Sequence, residues 1–123
     1  MNPVGWFEIY VNDLSRATKF YETVLKQTLT KLDAPMDDLK MMSFPMEKGG
    51  GGATGALVKM EGVNAGGNST IVYFMSDDCA KEQSRVESAG GKIMKPKFSI
   101  GQYGFITLLF DTEGNLFGVH SMK

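Results

Sequence analysis

The chain has 123 residues, 42% hydrophobic and 22% charged, with 13 basic against 14 acidic side chains, a net charge of −1. That length suits one domain, or one domain of two similar halves, and can bury a core without disulfide staples. A single cysteine, Cys79, and a single histidine, His120, exclude an intramolecular disulfide and every zinc site that takes several such ligands from one chain.

Residues 4–11 read as a strand, with Phe7, Ile9 and Val11 on one face and Trp6, Glu8 and Tyr10 on the other. Asp13 is placed to cap a helix whose apolar positions, Leu14, Ala17, Tyr21, Val24 and Leu25, have helical spacing. A short strand over 27–32, a turn over 34–38, a strand over 39–45, a loop over 47–54 and a strand over 55–60 follow. Residues 61–69, rich in Gly and Asn, read as a linker. The pattern then starts again: a strand over 70–75, and a helix capped by Asp77 or Asp78 and ended by Gly90 and Gly91. A strand over 92–95, a loop over 96–104, a strand over 105–110, a turn over 111–115 and a last strand over 116–122 complete it.

The order is β-α-β-β-β, linker, β-α-β-β-β, with modules over 1–60 and 70–123. Laying Trp6–Tyr10 over 70–74 matches their alternation. One helix covers only one face of a small sheet, so the second face needs the other module, another chain or a ligand. The expected fold is α+β, two β-α-β-β-β modules forming a curved mixed sheet around a cup, and concave, largely apolar sites take small molecules. One chain leaves a large sheet face to cover, which is part of the ground for expecting a homodimer.

The repeat, together with Val11-Asn12-Asp13-Leu14 followed by Ala17, Phe20 and Tyr21, then Ala89-Gly90-Gly91 and the 111–115 turn, resembles the vicinal-oxygen-chelate superfamily. That group holds glyoxalase I, bleomycin-resistance proteins and extradiol dioxygenases. Trp6-Phe7-Glu8-Ile9 and the segment 99–105 are similar to its short bacterial members. In the metal-dependent members a divalent ion is held by His, Glu or Gln on the first and last strand of each half. The resemblance places these positions on Trp6, on Thr70 (or Ile71 with a one-residue slip), on Gly118, and on Ala56 or Leu57. None is a usual ligand of a catalytic divalent metal, and Glu8 and His120 alone fall short of the usual three protein ligands. The expectation is therefore no metal and no cofactor. The resemblance is the other ground for a homodimer.

What the resemblance leaves is a cup that binds a small aromatic or cationic molecule. The alternatives are a lyase or isomerase using Glu8 and His120, or a protein-interaction module with a filled cup. The expected lining is Trp6, Glu8, Tyr10, Phe44, Thr70, Val72, Phe74, Gly118 and His120. Glu8 reads either as a cup carboxylate or as a salt-bridged strand residue, and His120 either as a polar feature of the cup or as a packed rim residue. Trp6, Tyr10, Phe44 and Phe74 offer a stacking wall, although aromatics on strands more commonly belong to cores. Gly49–Gly52 lacks the Lys and Ser/Thr of a phosphate loop, and no Gly-x-Ser-x-Gly supports a triad. With pI about 5.8 there is no basic footprint for nucleic acid. No apolar run approaches the ~20 residues of a membrane span, and the N-terminus lacks signal-peptide regions, so a cytoplasmic location is expected.

Overall fold

The computed structural model describes residues 1–34 and 36–123. The first half contains β1 (Phe7–Tyr10), α1 (Leu14–Leu25), β2 (Thr30–Leu32), β3 (Leu39–Ser43) and β4 (Gly55–Met60). The second contains β5 (Tyr73–Met75), α2 (Cys79–Val86), β6 (Lys92–Ser99), β7 (Phe105–Phe110) and β8 (Leu116–Ser121), with a 3-10 turn, Gly101–Tyr103, between β6 and β7. The turn expected over 34–38 includes Pro35, which lies outside the described residues.

The strands form two open four-stranded mixed sheets, one per module, ordered β1-β4-β3-β2 and β5-β8-β7-β6, as the expected pair of β-α-β-β-β modules requires. In each, the first strand lies at an edge, parallel to the last strand, and the other neighbours are antiparallel. A parallel partner requires a crossover, and each helix supplies it.

Both helices start as their capping residues require. The Asp13 side chain accepts from Arg16 N at 3.0 Å, and Asp78 accepts from Ala80 N at 3.0 Å. The hydrogen bond from Lys97 Nζ at 2.8 Å, then the Ala80 amide, hold the Asp78 carboxyl below its ordinary value. α1 buries Ala17, Phe20, Tyr21 and Val24 and stops where Lys26 turns left-handed, at φ 56°. After α2, Gly91 must be glycine: a Cβ there would meet Phe110 O at 2.4 Å and Phe20 Cε1 at 2.7 Å. Neither helix is long and apolar enough to cross a membrane.

The two helices touch, and the sheet faces beneath them merge into one core. Six rings, Phe7, Phe20, Tyr21, Phe44, Phe74 and Phe117, join the modules there with centroids 5.1–6.0 Å apart. The other face of the first sheet carries a separate small cluster, Met41, Ala56 and Val58, walled by Tyr10, Leu32, Leu39 and Met60.

Two expectations need correction. The loop expected over 96–104 is strand as far as Ser99, passing through Pro96. β6 is an edge strand, where a missing N–H is tolerated, and its register shifts on both sides of Lys95 absorb the proline. The alignment of the two first strands is also one residue out. Val11 N donates to Val58 O as Ser76 N donates to His120 O, both at 2.9 Å, so Trp6 corresponds to Ile71 rather than Thr70. The second-module residues on the uncovered face are therefore Tyr73 and Met75, cross-strand from Gly118 and His120, while Phe74 points into the core.

Candidate functional site

Where the free edge of β1 meets the start of β8, a cavity of about 260 Å³ opens beneath the segment 61–69. Its floor is the aromatic and aliphatic core: Phe7, Ile9, Tyr21 and Phe117. Glu8 and Tyr10 form one wall, Leu116 and Asn115 another, and Asn64, Asn68, Thr70 and Val72 close it over.

The segment that reads as a linker is fixed there by three asparagines. Asn12 Oδ1 accepts from Ala65 N at 3.0 Å, and Asn115 Oδ1 accepts from Gly66 N at 2.7 Å. Asn68 takes the place of a strand neighbour for Leu116: its Oδ1 accepts from Leu116 N at 3.0 Å and its Nδ2 donates to Leu116 O at 2.9 Å. The 111–115 turn completes the junction. Asp111 Oδ1 accepts from Glu113 N and Asn115 N, and Asp111 Oδ2 accepts from the Tyr21 hydroxyl at 2.6 Å. Burial, then the Asp111 charge, push that hydroxyl well above its ordinary value.

Glu8 carries the charge of the cavity. Residues two apart on a strand share a face. Trp6 Nε1–H donates to Glu8 Oε2 at 3.2 Å, and the Tyr10 hydroxyl donates to Glu8 Oε1 at 3.1 Å. Burial first, then the bond to Glu8, raise the Tyr10 hydroxyl above its ordinary value, so it stays a donor. The carboxylate is thus held between two aromatic side chains, with a lone pair on each oxygen left for a ligand.

His120 stands apart from this group. Its Nε2 lies 2.6 Å from Tyr103 O in the 3-10 turn. A carbonyl only accepts, so Nε2 carries the hydrogen and the neutral ring leaves Nδ1 bare. Because His120 is the only histidine, its nitrogen shifts in an NMR spectrum are unambiguous. The neutral ring is expected as the Nε2–H tautomer, and a dominant Nδ1–H signal would contradict the Tyr103 contact. No hydrogen bond links His120 to Glu8 among the described residues.

Of the other expected lining residues, Thr70 and Val72 border the cavity, whereas Phe44 and Phe74 are packed in the ring cluster. Gly118 is buried beneath Tyr73. Asn64, Asn68 and Asn115 were not anticipated as site residues. The Gly/Asn richness of 61–69 was visible, but its partners lie about fifty residues away on both sides.

The four positions that would hold a divalent ion are Trp6, Ala56, Ile71 and Gly118, once the register is corrected. None donates to a metal. At Gly118 a Cβ would meet Tyr73 Cε1 at 2.3 Å, so any side chain there requires the Tyr73 ring to move. Among the described residues no three His, Cys, Asp or Glu side chains group to hold an ion. The residues present do not fit a metal centre.

The chain resembles solved structures across nearly its whole length. Glyoxalase I from Zea mays matches with a TM-score of 0.77 and 23% identity over 98% of this chain and 46% of that one, so this chain spans a little under half of the maize protein. TnmS3, an antibiotic binding protein from Streptomyces sp. CB03234, matches with a TM-score of 0.71 and 21% identity, over 98% of this chain and 96% of that one. A glyoxalase/bleomycin resistance protein from Albidiferax ferrireducens T118 matches with a TM-score of 0.68 and 18% identity over 98% of each chain. At these identities the likeness shows the fold. No curated protein matches. The profile of the Glyoxalase/Bleomycin resistance protein/Dioxygenase superfamily matches residues 4–119, and the chain belongs to that superfamily.

Proposed function

We propose that this protein binds a small organic cation in the cavity at the module junction, without a catalytic metal. The observation that carries this reading is the Glu8 carboxylate held between Trp6 and Tyr10 at an apolar cavity. A cation entering there meets a charged acceptor, with an aromatic floor to desolvate its hydrocarbon part. TnmS3, a fold neighbour, is an antibiotic binding protein, so this fold can serve binding. A lyase or isomerase joining Glu8 to His120 has less support, because the two side chains are bonded to different partners. The filled-cup module is disfavoured by a cavity of about 260 Å³. We place the protein in the cytoplasm as a homodimer, its uncovered apolar sheet face being the surface for a second copy.

A thermal-shift screen of organic amines tests the reading. A ligand at 100 times its dissociation constant stabilises the fold by about 2.7 kcal/mol. Glu8→Gln keeps the shape and removes the charge, and should weaken the hits about tenfold or more. Hits that bind Glu8→Gln as tightly as the parent protein would sink the proposal.

A further inference from the structure

We infer that the groove between α1 and the first sheet binds a small organic phosphate, a dianion carrying a short apolar part. It lies on the helix side of that sheet and uses none of the residues of the cavity at Glu8.

Met42 on β3 faces α1 and lines a cavity of about 280 Å³ together with Leu14, Ser15, Thr18, Lys19 and Glu22. Lys40, two residues before Met42, shares that face. Its cross-strand partner is Lys59 on β4, and Lys31 on β2 stands directly opposite Met42. Lysines from three adjacent strands thus share one face, and Lys19 adds another from the helix. Directly opposed side chains have Cβ atoms about 5 Å apart, and like charges so placed destabilise a sheet. Lys59 is half-buried, so it is less free than an exposed lysine to swing away from Lys40. No acid of the chain offsets the charge: the two ion pairs among the described residues, Arg16–Glu113 and Lys97–Asp78, use none of these lysines.

The cavity joins that charge to apolar surface. Val11 N donates to Val58 O, and α1 begins at Leu14, so Leu14 stands near the level of the Lys40–Lys59 pair. Asp13, at the same end, is engaged by Arg16 N. Glu22, the one acid in the lining, lies about 12 Å further along the helix, with Oε2 accepting from Leu29 N. The site is therefore positive at one end, with Leu14 and Met42 as its apolar surface. Thr18 Oγ1, in the same lining, is the one buried side-chain polar atom among the described residues without a hydrogen-bond partner. Such an atom calls for one. A helical threonine has two usable χ1 rotamers, which gives the hydroxyl a low-cost way to reach an occupant.

Two opposed ammonium groups call for a dianion. A phosphate monoester carries about −1.5 to −2 charges at pH 7 and three strong acceptor oxygens, whereas a carboxylate neutralises one lysine only. The competing explanation is a solvated lysine face with no ligand.

Phenyl phosphate is the probe, titrated by calorimetry at low ionic strength beside benzoate and inorganic phosphate. The intact protein should bind phenyl phosphate at least tenfold more tightly than either. Lys40→Gln/Lys59→Gln should weaken it at least tenfold, and Thr18→Val at least threefold. The charge-matched Lys92→Gln/Lys95→Gln, on the second sheet, should bind as the parent does. Lys59→Glu turns the repelling pair into an attracting one, so it should raise the melting temperature while abolishing binding, which separates a lost site from a lost fold. Unchanged affinity in Lys40→Gln/Lys59→Gln, or an equal loss in Lys92→Gln/Lys95→Gln, overturns the site. No preference for phenyl phosphate over the other two anions overturns the ligand class.

Discussion

Replacing Glu113 by alanine should destabilise the protein by about 2–4 kcal/mol, read as a fall in the urea midpoint with little change in slope. Its side chain is fully buried and serves five donors. Oε1 accepts from Asn12 N and Asp13 N, each at 2.9 Å, and from Arg16 Nη2 at 2.9 Å; Oε2 accepts from Arg16 Nε at 2.7 Å and from Thr112 Oγ1 at 2.8 Å. Truncation leaves the amides that open α1 without an acceptor, which costs more than the lost contact itself. Arg16 is half exposed and can return to water, so the loss falls short of that for a wholly buried pair.

The same group sets an acid response. Burial pushes the Glu113 carboxyl up, but the hydrogen bonds from Arg16, Thr112 and the Asp13 and Asn12 amides prevail and bring it down to about 2. A carboxyl depressed in the folded state stabilises fully above its unfolded value, near the usual ~4.3, and loses that contribution as pH falls toward 2. Glu113→Gln should therefore be less stable than the parent by about 2 kcal/mol at pH 7, after allowance for the exposure of Arg16, with the two converging near pH 2. Parallel stability curves over that range would mean the ion pair does not hold the junction.

The residues that built the repeat were readable because their periodicity has a physical cause. Asp13 and Asp78 cap because they accept from the first turn, and Phe7, Ile9 and Val11 alternate against a polar Glu8. The second first strand offers no such mark. Residues 70–75 (Thr-Ile-Val-Tyr-Phe-Met) are apolar on both faces, so alternation could not tell Phe74 from Tyr73. That one-residue slip put a core residue in the expected site and left an exposed ring out. Pro96 misled for a related reason, since whether a proline stops a strand depends on edge position, which tertiary pairing decides. The cavity was hidden for a third reason. Its closing wall is an irregular segment with no period, shaped by amides from Asn12 and Asn115 that only the folded chain brings near.

Asn115 is where fold and site depend on one side chain, and its substitution should damage both. Nδ2 donates to Tyr10 O at 3.0 Å, on the edge of β1 not used by β4, and to Asp111 Oδ2 at 3.2 Å; Oδ1 accepts from Gly66 N at 2.7 Å. Asn115→Leu, similar in volume, strands the Tyr10 carbonyl and the Gly66 amide, at about 1–3 kcal/mol for each group that stays buried. It should also release the segment over the cavity and weaken cation binding at Glu8, which adjoins the freed strand edge. Asn115→Asp keeps the acceptor for Gly66 N but sets a second carboxylate against Asp111 Oδ2, where two like charges cannot both ionise cheaply. Its folded-state carboxyl should be raised, so its stability deficit against the parent should be large at pH 7 and shrink on acidification toward pH 5. In the parent the depressed carboxyls, Glu113 and Asp78, lose their contributions below that window. A deficit independent of pH between 5 and 7 would show that the loss comes from the missing Nδ2 donation to Tyr10 O and not from repulsion at Asp111. Asn115→Leu binding the cation as tightly as the parent would show that the segment over the cavity holds its shape without the asparagine.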